Sequence, residues 1–262
     1  MMPDGSAGLA IADLRVGYGR HAVLRGLTLP MIQPGRLTIV AGPNGAGKST
    51  LLRALAGLVQ AAGSIRLDGR EMVGAPASRR AEGVAFMPQA LPSDLAFTVM
   101  EAVVHAARAG KPAHGAPAPV QAAAVLDRLG LTALAQTRLD RLSGGQRQLT
   151  SLAQALVRRP RLLLLDEPLS ALDLRHQHAV LTVLRSLAAD GLIVVAVLHD
   201  LSLAATWADR VVLIHGGGVA ADGPPERAVT AATLAEVYGV AATVRRGNDR
   251  STSIVVTGLL DP

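Results

Sequence analysis

A glycine-rich segment at residues 42–50 constrains the fold of this 262-residue chain more than any other feature. It matches the P-loop pattern G-x-x-x-x-G-K-[ST], in which backbone N–H groups surround phosphate oxygens where a helix begins. The apolar run Leu37–Ala41 predicts a strand before the loop, and Lys48–Leu58 predicts a helix after it. The match comprises Gly42, Pro43, Asn44, Gly45, Ala46, Gly47, Lys48, Ser49 and Thr50. The segment therefore predicts an α/β fold with a phosphate-binding site.

Two side chains of the P-loop carry its predicted chemistry. Lys48 is placed to reach the β- and γ-phosphates of a nucleotide, and the hydroxyl of Ser49 to hold Mg²⁺. The alternative is an ordinary glycine-rich turn. The predicted strand before the loop and the helix after it favour the P-loop over such a turn.

A second motif is a run of four leucines at residues 162–165, followed by Asp166 and Glu167. Such a run is typical of a strand buried on both faces of a parallel sheet, and ligands bind at the carboxyl ends of these strands. We therefore expect Asp166 to hold Mg²⁺ through water and Glu167 to polarise the attacking water. The alternative is an acidic strand end that caps the next turn, which the presence of a P-loop disfavours.

The third motif identifies a family. The segment that begins at Leu142 reads Leu-Ser-Gly-Gly-Gln, and its nucleotide-binding residues are Ser143, Gly144, Gly145 and Gln146. Ser143 is a good helix N-cap, the glycines permit close approach to an anion, and the helix dipole favours negative charge. The alternative is an ordinary Ser-Gly-Gly turn. The motif stands unaltered as the LSGGQ signature of ABC ATPases, and the chain resembles that superfamily closely.

The resemblance implies a composite site. In the family, the signature faces the P-loop of another subunit, so one motif set per chain implies a homodimer with two ATP molecules at its interface.

Four further positions resemble family residues. Tyr18 resembles the aromatic residue that stacks on adenine, and His199 resembles the histidine that senses the γ-phosphate. Gln89 resembles the glutamine that contacts Mg²⁺ and the membrane partner. Asp173 resembles the aspartate of the loop that crosses the dimer interface. The alternatives are a packed strand tyrosine for Tyr18 and a structural histidine for His199.

The resemblance covers nearly the whole chain and implies one ABC ATPase domain over residues 1–262. Alternating residues 9–33 favour antiparallel strands near the N-terminus, and further strands are predicted at 64–73, 162–165, 193–198 and 211–214. Helices are predicted within 95–139, interrupted at 110–119, and at 143–158 and 175–189. The resemblance implies a P-loop NTPase fold of the α/β class: a mostly parallel core sheet, an antiparallel β subdomain, a helical subdomain at about 92–157 and a C-terminal extension at about 224–262.

Composition and charge narrow the function classes. There is no cysteine, so disulfides and thiolate metal sites are excluded. The net charge is +6, but no basic patch interleaved with aromatic residues indicates nucleic acid binding. We find neither a signal peptide nor the roughly 18 consecutive apolar residues of a membrane span. From this we expect a soluble, cytoplasmic protein. The resemblance to ABC transporters implies a peripheral position on the cytoplasmic face of the membrane, transmembrane permease subunits as partners and, indirectly, a periplasmic or extracellular substrate-binding protein.

The C-terminal third resembles the branch that imports iron complexes such as siderophores and haem, or cobalamin. The similar stretches are residues 172–177, 195–205 and 223–240. The segment 105–111 and Gln154 depart from that branch, and the first departure lies where a membrane partner should dock. The alternatives are an ABC ATPase for zinc or manganese, or a non-transport ABC ATPase. Translation ATPases carry two motif sets, and chromosome ATPases need a long coiled coil between P-loop and signature, so both fit poorly.

Overall fold

We describe a computed structural model for residues 7–76, 83–88, 97–109, 116–170, 172–248 and 251–260. Its strands are β1 (Leu9–Tyr18), β2 (His21–Ile32), β3 (Leu37–Ala41), β4 (Ala62–Leu67), β5 (Arg70–Glu71), β6 (Val84–Met87), β7 (Leu162–Asp166), β8 (Ile193–Val197), β9 (Arg210–His215), β10 (Gly218–Gly223), β11 (Val240–Arg246) and β12 (Thr252–Leu259). Its helices are α1 (Lys48–Leu55), α2 (Val99–Ala109), α3 (Ala118–Arg128), α4 (Gly144–Leu156), α5 (Leu174–Ala189), α6 (Leu201–Trp207), α7 (Pro225–Ala228) and α8 (Ala231–Tyr238). Short 3₁₀ turns lie at Thr132–Leu134 and Leu139–Arg141.

The central sheet has six strands in the order β10-β9-β3-β8-β7-β6. Neighbouring strands are parallel except β10, which is antiparallel to β9. Every residue of β3, β7 and β8 is buried, as continuous apolar runs predict for strands covered on both faces. Because these strands are parallel, their carboxyl ends meet at one edge, where the P-loop follows β3, Asp166 ends β7 and His199 lies just after β8.

Alternate residues of the central strands pack into two separate cores. Leu163 and Leu165 face a core that they share with α2, α3, α4 and α5, whereas Leu162 and Leu164 face a core shared with α1 and strands β1, β2 and β4. The molecule is therefore layered, with the mostly parallel sheet in the middle. This arrangement confirms the predicted α/β class and the antiparallel β region near the N-terminus.

The antiparallel sheet has the order β2-β1-β4-β5 and covers the P-loop helix α1. Strands β1 and β2 form a hairpin in which Tyr18 pairs with His21. The helix α1 ends at Leu55, three residues earlier than predicted, and Gly57 follows with φ 70°. A glycine in the left-handed region is a common helix terminator, which accounts for the early end.

The C-terminal region contains a hairpin that the sequence pattern did not reveal. Strands β11 and β12 pair antiparallel and form a two-stranded sheet of their own. The backbone N–H of Thr252 donates to the hydroxyl of Thr206 at 3.0 Å, which joins the hairpin to α6. Helix α8 precedes it, with a capping box between Thr230 and Thr233 and a left-handed Gly239 at its end.

Candidate active site

The P-loop holds its lysine through its own backbone. The ammonium of Lys48 donates to the carbonyl oxygens of Gly42 and Pro43, both at 2.8 Å, and the side chain is almost fully buried. Burial lowers the pKa of Lys48, while the negative charges of Glu167 and Asp166 oppose that shift. An ammonium has three N–H donors, so one is left to point at an anion in the loop.

Two glycines let the loop lie close to its surroundings. A Cβ at Gly42, where φ is 145°, would stand 2.1 Å from the carbonyl oxygen of Ile214 on β9. A Cβ at Gly47, where φ is 103°, would stand 2.8 Å from a methyl group of Leu24. Side chains at these positions would push the loop away from both sheets, which explains why the motif needs glycine there.

The other P-loop residues divide by exposure. Asn44 and Gly45 are exposed at the tip of the loop, whereas Ala46 and Thr50 are buried beneath it. The loop therefore presents its backbone, and not large side chains, to a ligand at this edge of the sheet.

Ser49 and Asp166 form a second part of the site. The hydroxyl of Ser49 donates to Oδ1 of Asp166 at 2.9 Å, across the space between α1 and β7. Asp166 is 3% exposed, and burial raises its pKa; the charge of Glu167 also raises it, while the bond from Ser49 opposes the shift. A carboxylate and a hydroxyl are the hard oxygen donors that Mg²⁺ prefers.

No group of three or more His, Cys, Asp or Glu side chains in the described ranges could hold a metal ion. Mg²⁺ is typically held by one or two carboxylates together with substrate phosphates, and it keeps several waters. Ser49 and Asp166 fit a magnesium ion of that kind, which depends on a bound nucleotide, rather than a permanent protein-held metal.

Glu167 and His199 meet at the same edge. Nε2 of His199 lies 2.5 Å from Oε1 of Glu167, so the ends of β7 and β8 are joined by a side-chain contact. Glu167 has a positive φ of 54°, which is strained for a residue with a side chain and often occurs at functional sites. Its carbonyl oxygen accepts a hydrogen bond from the hydroxyl of Ser170 at 3.0 Å. The sequence predicted both residues as site residues but not their contact.

The signature has the capped geometry that the sequence predicted. Ser143 is the N-cap of α4: its hydroxyl accepts from the backbone N–H of Gln146 at 3.3 Å, and its own N–H donates to the Gln146 side chain at 3.0 Å. Helix α4 then begins at Gly144. In the described part of the chain, no hydrogen bond or ion pair joins residues 143–146 to residues 42–50.

Tyr18 lies at the β1–β2 hairpin and is 48% exposed, which argues against a packed strand tyrosine. Its pairing partner His21 lines a cavity of about 250 Å³ beside the exposed tip of the P-loop. The sequence analysis missed this wall of the site, because it is formed by a hairpin and by the β9–β10 turn, which are distant in sequence. The cavity is lined by His21, Ala22, Val23, Arg25, Pro43, Asn44, Gly45, Ala46, His215, Gly216 and Gly217.

Residues 25–170, more than half of the chain, match the family model described as ABC transporter. The chain belongs to the ABC transporter family. As an ABC ATPase, it binds ATP and is an ATP hydrolase whose reaction is coupled to transport.

Three relatives illustrate the similarity of this ABC ATPase to known proteins. A protein of Streptomyces coelicolor named hemin import ATP-binding protein HmuV is 44% identical over 87% of this chain and 82% of its own length. A protein of the same name from Roseobacter denitrificans is 36% identical over 95% and 97%. A solved structure described as a putative metal-chelate type ABC transporter in an inward-facing conformation has a TM-score of 0.80 at 27% identity, covering 97% of this chain and 98% of that one.

The remaining residues predicted for the ABC ATPase site have different outcomes. Asp173 is the N-cap of α5, and the backbone N–H of His176 donates to its carboxylate at 2.8 Å. That bond, followed by the bond from the His176 ring, holds the pKa of Asp173 below its usual range. Gln89 lies outside the described residues, so its role stays a prediction.

No helix in the described segments has the length and apolar character to cross a membrane.

Proposed function

We propose that the chain is the ATP-hydrolysing subunit of an ABC importer for haem or a related iron complex. It works as a homodimer with two ATP molecules and Mg²⁺ at the interface. The observation that carries the catalytic part is the convergence of Lys48, Asp166 and the Glu167–His199 pair on one edge of the central sheet.

In this proposal, each residue has a separate task in the attack of water on the γ-phosphorus. The third N–H of Lys48 binds the β- and γ-phosphate oxygens. Glu167 accepts a hydrogen bond from the attacking water and orients it, and His199 holds the Glu167 carboxylate in that direction. Ser49 and Asp166 would hold Mg²⁺ together with the nucleotide, and the ion would supply positive charge to neutralise the phosphate oxygens.

The dimer completes the site. The signature helix has Ser143 as its N-cap and presents backbone N–H groups at its N-terminus, an arrangement suited to binding an anion. No described hydrogen bond or ion pair joins it to the P-loop of its own chain, which is consistent with the role, implied by the family resemblance, toward the γ-phosphate held by a second copy. We assign adenine stacking to the exposed Tyr18 and an interface role to Asp173. Gln89 would contact Mg²⁺ and the permease, as the family resemblance implies.

We further propose that closure and release of this dimer drive permease subunits in the membrane, with the chain attached peripherally to their cytoplasmic face. The helical subdomain at about 92–157 would transmit the motion, and a substrate-binding protein would deliver the cargo on the other side. The assignment of haem or a similar iron complex is supported by the names of the relatives and by the resemblance at residues 172–177 and 195–205.

The cargo is tested by purifying the chain together with its permease, reconstituting the complex in lipid vesicles and supplying the cognate binding protein. Haem, a ferric siderophore, cobalamin, Zn²⁺ and Mn²⁺ are then compared for stimulation of ATP hydrolysis and for uptake. We expect haem or another iron complex to stimulate both. Stimulation by Zn²⁺ or Mn²⁺ alone would replace this assignment with a metal-ion importer.

A further inference from the structure

The side chain of His176 lies between two segments assigned to the dimer interface. Its ring nitrogen Nδ1 is 2.6 Å from Oδ1 of Asp173, the same oxygen that accepts the backbone N–H of His176. Asp173 precedes α5, and His176 stands in the first turn of that helix. Two bonds from one residue therefore fix the orientation of the imidazole ring.

The other side of the ring rests on the signature. A Cβ at Gly145 would stand 2.4 Å from Cδ2 and 2.7 Å from Cγ of His176, closer than real atoms approach. Gly145 lies inside α4, and its φ is not in the left-handed region, so its backbone conformation does not demand glycine. The requirement at this position is instead spatial: the absent side chain makes room for the ring of His176.

A second contact joins the same helix to the loop after the catalytic strand. The side-chain amide of Gln148 donates to the carbonyl oxygen of Pro168 at 2.8 Å, and Gln148 is buried. Pro168 directly follows Glu167. The signature helix is thus tied at two points, Gln148 and Gly145, to the chain that runs from Glu167 to α5.

We infer that His176 is a positioning residue, which holds the signature backbone in a fixed geometry relative to the Asp173 loop. The surface that one subunit offers to its partner's nucleotide is then a single rigid unit made from both segments. This inference rests on the proposed function, because the signature acts only when a second copy brings its P-loop.

The physical reason is that the signature must meet a γ-phosphate with its backbone N–H groups. Misplacement of a binding group by about 1 Å can cost roughly 10²-fold in rate. Without the ring, Gly145 would lose its packing partner and Asp173 would lose one of its two donors from His176. With an added methyl group on residue 145, ring and helix would be forced apart instead.

The test is a double-mutant cycle with His176→Ala and Gly145→Ala, each in a background carrying Glu167→Gln to retain ATP. The quantity measured is the protein concentration at which ATP forms the dimer, determined by light scattering. We expect Gly145→Ala alone to raise this concentration by roughly 10–10²-fold, the effect of losing a hydrogen bond to a charged phosphate, although alanine favours helices over glycine. The double variant should return to the level of His176→Ala alone, because the clash is gone.

A second readout separates positioning from loss of fold. ATP binding to the dilute, undimerised chain should be unchanged in His176→Ala, since His176 makes no described contact with residues 42–50. His176→Asn should recover part of the lost dimerisation, because its amide can replace Nδ1 as the donor to Asp173. Gly258→Ala on β12 is the control for Gly145→Ala, because a Cβ at Gly258 would meet no atom within 4 Å. His178→Gln is the control for the His176 variants, because both histidines lie on α5.

The outcomes distinguish the two proposals. If the chain with Glu167→Gln alone forms no ATP-dependent dimer, the proposed function fails. Suppose that this dimer forms, but that Gly145→Ala impairs dimerisation equally in the presence and in the absence of His176→Ala. The positioning role of His176 is then wrong. It is equally wrong if His176→Ala weakens ATP binding by the isolated chain as much as it weakens dimerisation.

Discussion

Nε2 of His199 and Oε1 of Glu167 lie 2.5 Å apart, although 32 residues separate them in the chain. The contact exists because β7 and β8 are parallel neighbours, with Asp166 in register with Val197, so both strands end at the same level. The Glu167 side chain is largely buried, while about half of His199 is exposed. The carboxylate is thus oriented by a group that solvent or a partner can reach.

Glu167→Gln tests the carboxylate as the residue that activates water. The amide keeps the size of the side chain but accepts a proton far less readily, so ATP hydrolysis should fall by roughly 10²–10⁴-fold. ATP binding should persist, and the dimer should accumulate because it is not released by hydrolysis. Phosphate release and light scattering measure the two effects.

The matched control is Glu236→Gln, an exposed change on α8. It removes the same charge from an exposed position on a helix that carries none of the residues assigned to the site, so hydrolysis should stay at the parent rate. Hydrolysis by Glu167→Gln at the parent rate would show that another group activates the water.

Lys48→Ala tests the phosphate-binding role of the P-loop. The substitution removes an ammonium that donates to the loop's own carbonyls and that we propose to bind the phosphates. Because each hydrogen bond from a charged group contributes about 1.5–3 kcal/mol, ATP affinity should fall by at least roughly tenfold, and hydrolysis should be lost. Titration calorimetry measures the affinity, and circular dichroism checks the fold.

Arg36→Ala removes an equal positive charge from the exposed turn before β3. That turn lies at the amino end of the strand, opposite the P-loop, so ATP affinity should not change. Full ATP binding and turnover by Lys48→Ala would contradict the assigned site.

Some parts of the site could be predicted because their signals are local. The four leucines before Asp166 make a buried strand, and Ser143 caps a helix through residues three positions away. Such features depend on neighbours in sequence. For His199, strand patterns alone favour a structural histidine, and its predicted role rests on the family resemblance.

Other parts could not be predicted, since they depend on contacts between distant segments. The ring of His176 meets Gly145 because the first turns of α4 and α5 come close together, and no spacing in the sequence encodes that approach. The cavity beside the P-loop needs His21 and His215 together, from a hairpin and a turn in different sheets. Strand β6 was also missed; its place in the sheet depends on pairing with the distant β7, where Val84 is in register with Leu162 and Met87 with Leu165.

Arg210→Ala should destabilise the fold, because it leaves the largely buried carboxylate of Asp222 without its ion-pair partner. Arg210 pairs with Asp222 at 2.6 Å, and both side chains are less than 15% exposed. It also donates to the carbonyl oxygens of Met31 and Pro30, which fastens β2 to the central sheet. Breaking a largely buried pair typically costs about 3–5 kcal/mol, so we expect a loss near that range in urea unfolding.

Arg15→Ala provides the comparison, because Arg15 and Asp13 form an ion pair at 3.0 Å with both side chains more than 60% exposed. Exposed pairs contribute about 0–1 kcal/mol, so this variant should unfold almost like the parent. Equal losses in the two variants would mean that burial does not determine the strength of the Arg210 pair.

Asp166→Asn should make the nucleotide-free chain more stable at neutral pH while abolishing Mg²⁺-dependent hydrolysis. Burial raises the pKa of Asp166 in the folded chain, so the folded state binds this proton more tightly than the unfolded state. The contribution of Asp166 to stability is therefore complete below its unfolded pKa, near 3.9, and is lost as pH rises through the raised folded value. Asparagine has no charge to bury and still accepts the bond from Ser49.

Urea unfolding of both proteins without nucleotide or Mg²⁺ measures this effect from pH 7 down to pH 4. The excess stability of Asp166→Asn should be largest at pH 7 and should shrink as pH falls, because only the parent gains a proton. Taking the difference between the two proteins cancels the titration of groups distant from Asp166, whereas Lys48 and Glu167 interact with Asp166 and contribute to the difference. An excess that stays constant over this range would show that the folded chain does not hold Asp166 at a raised pKa.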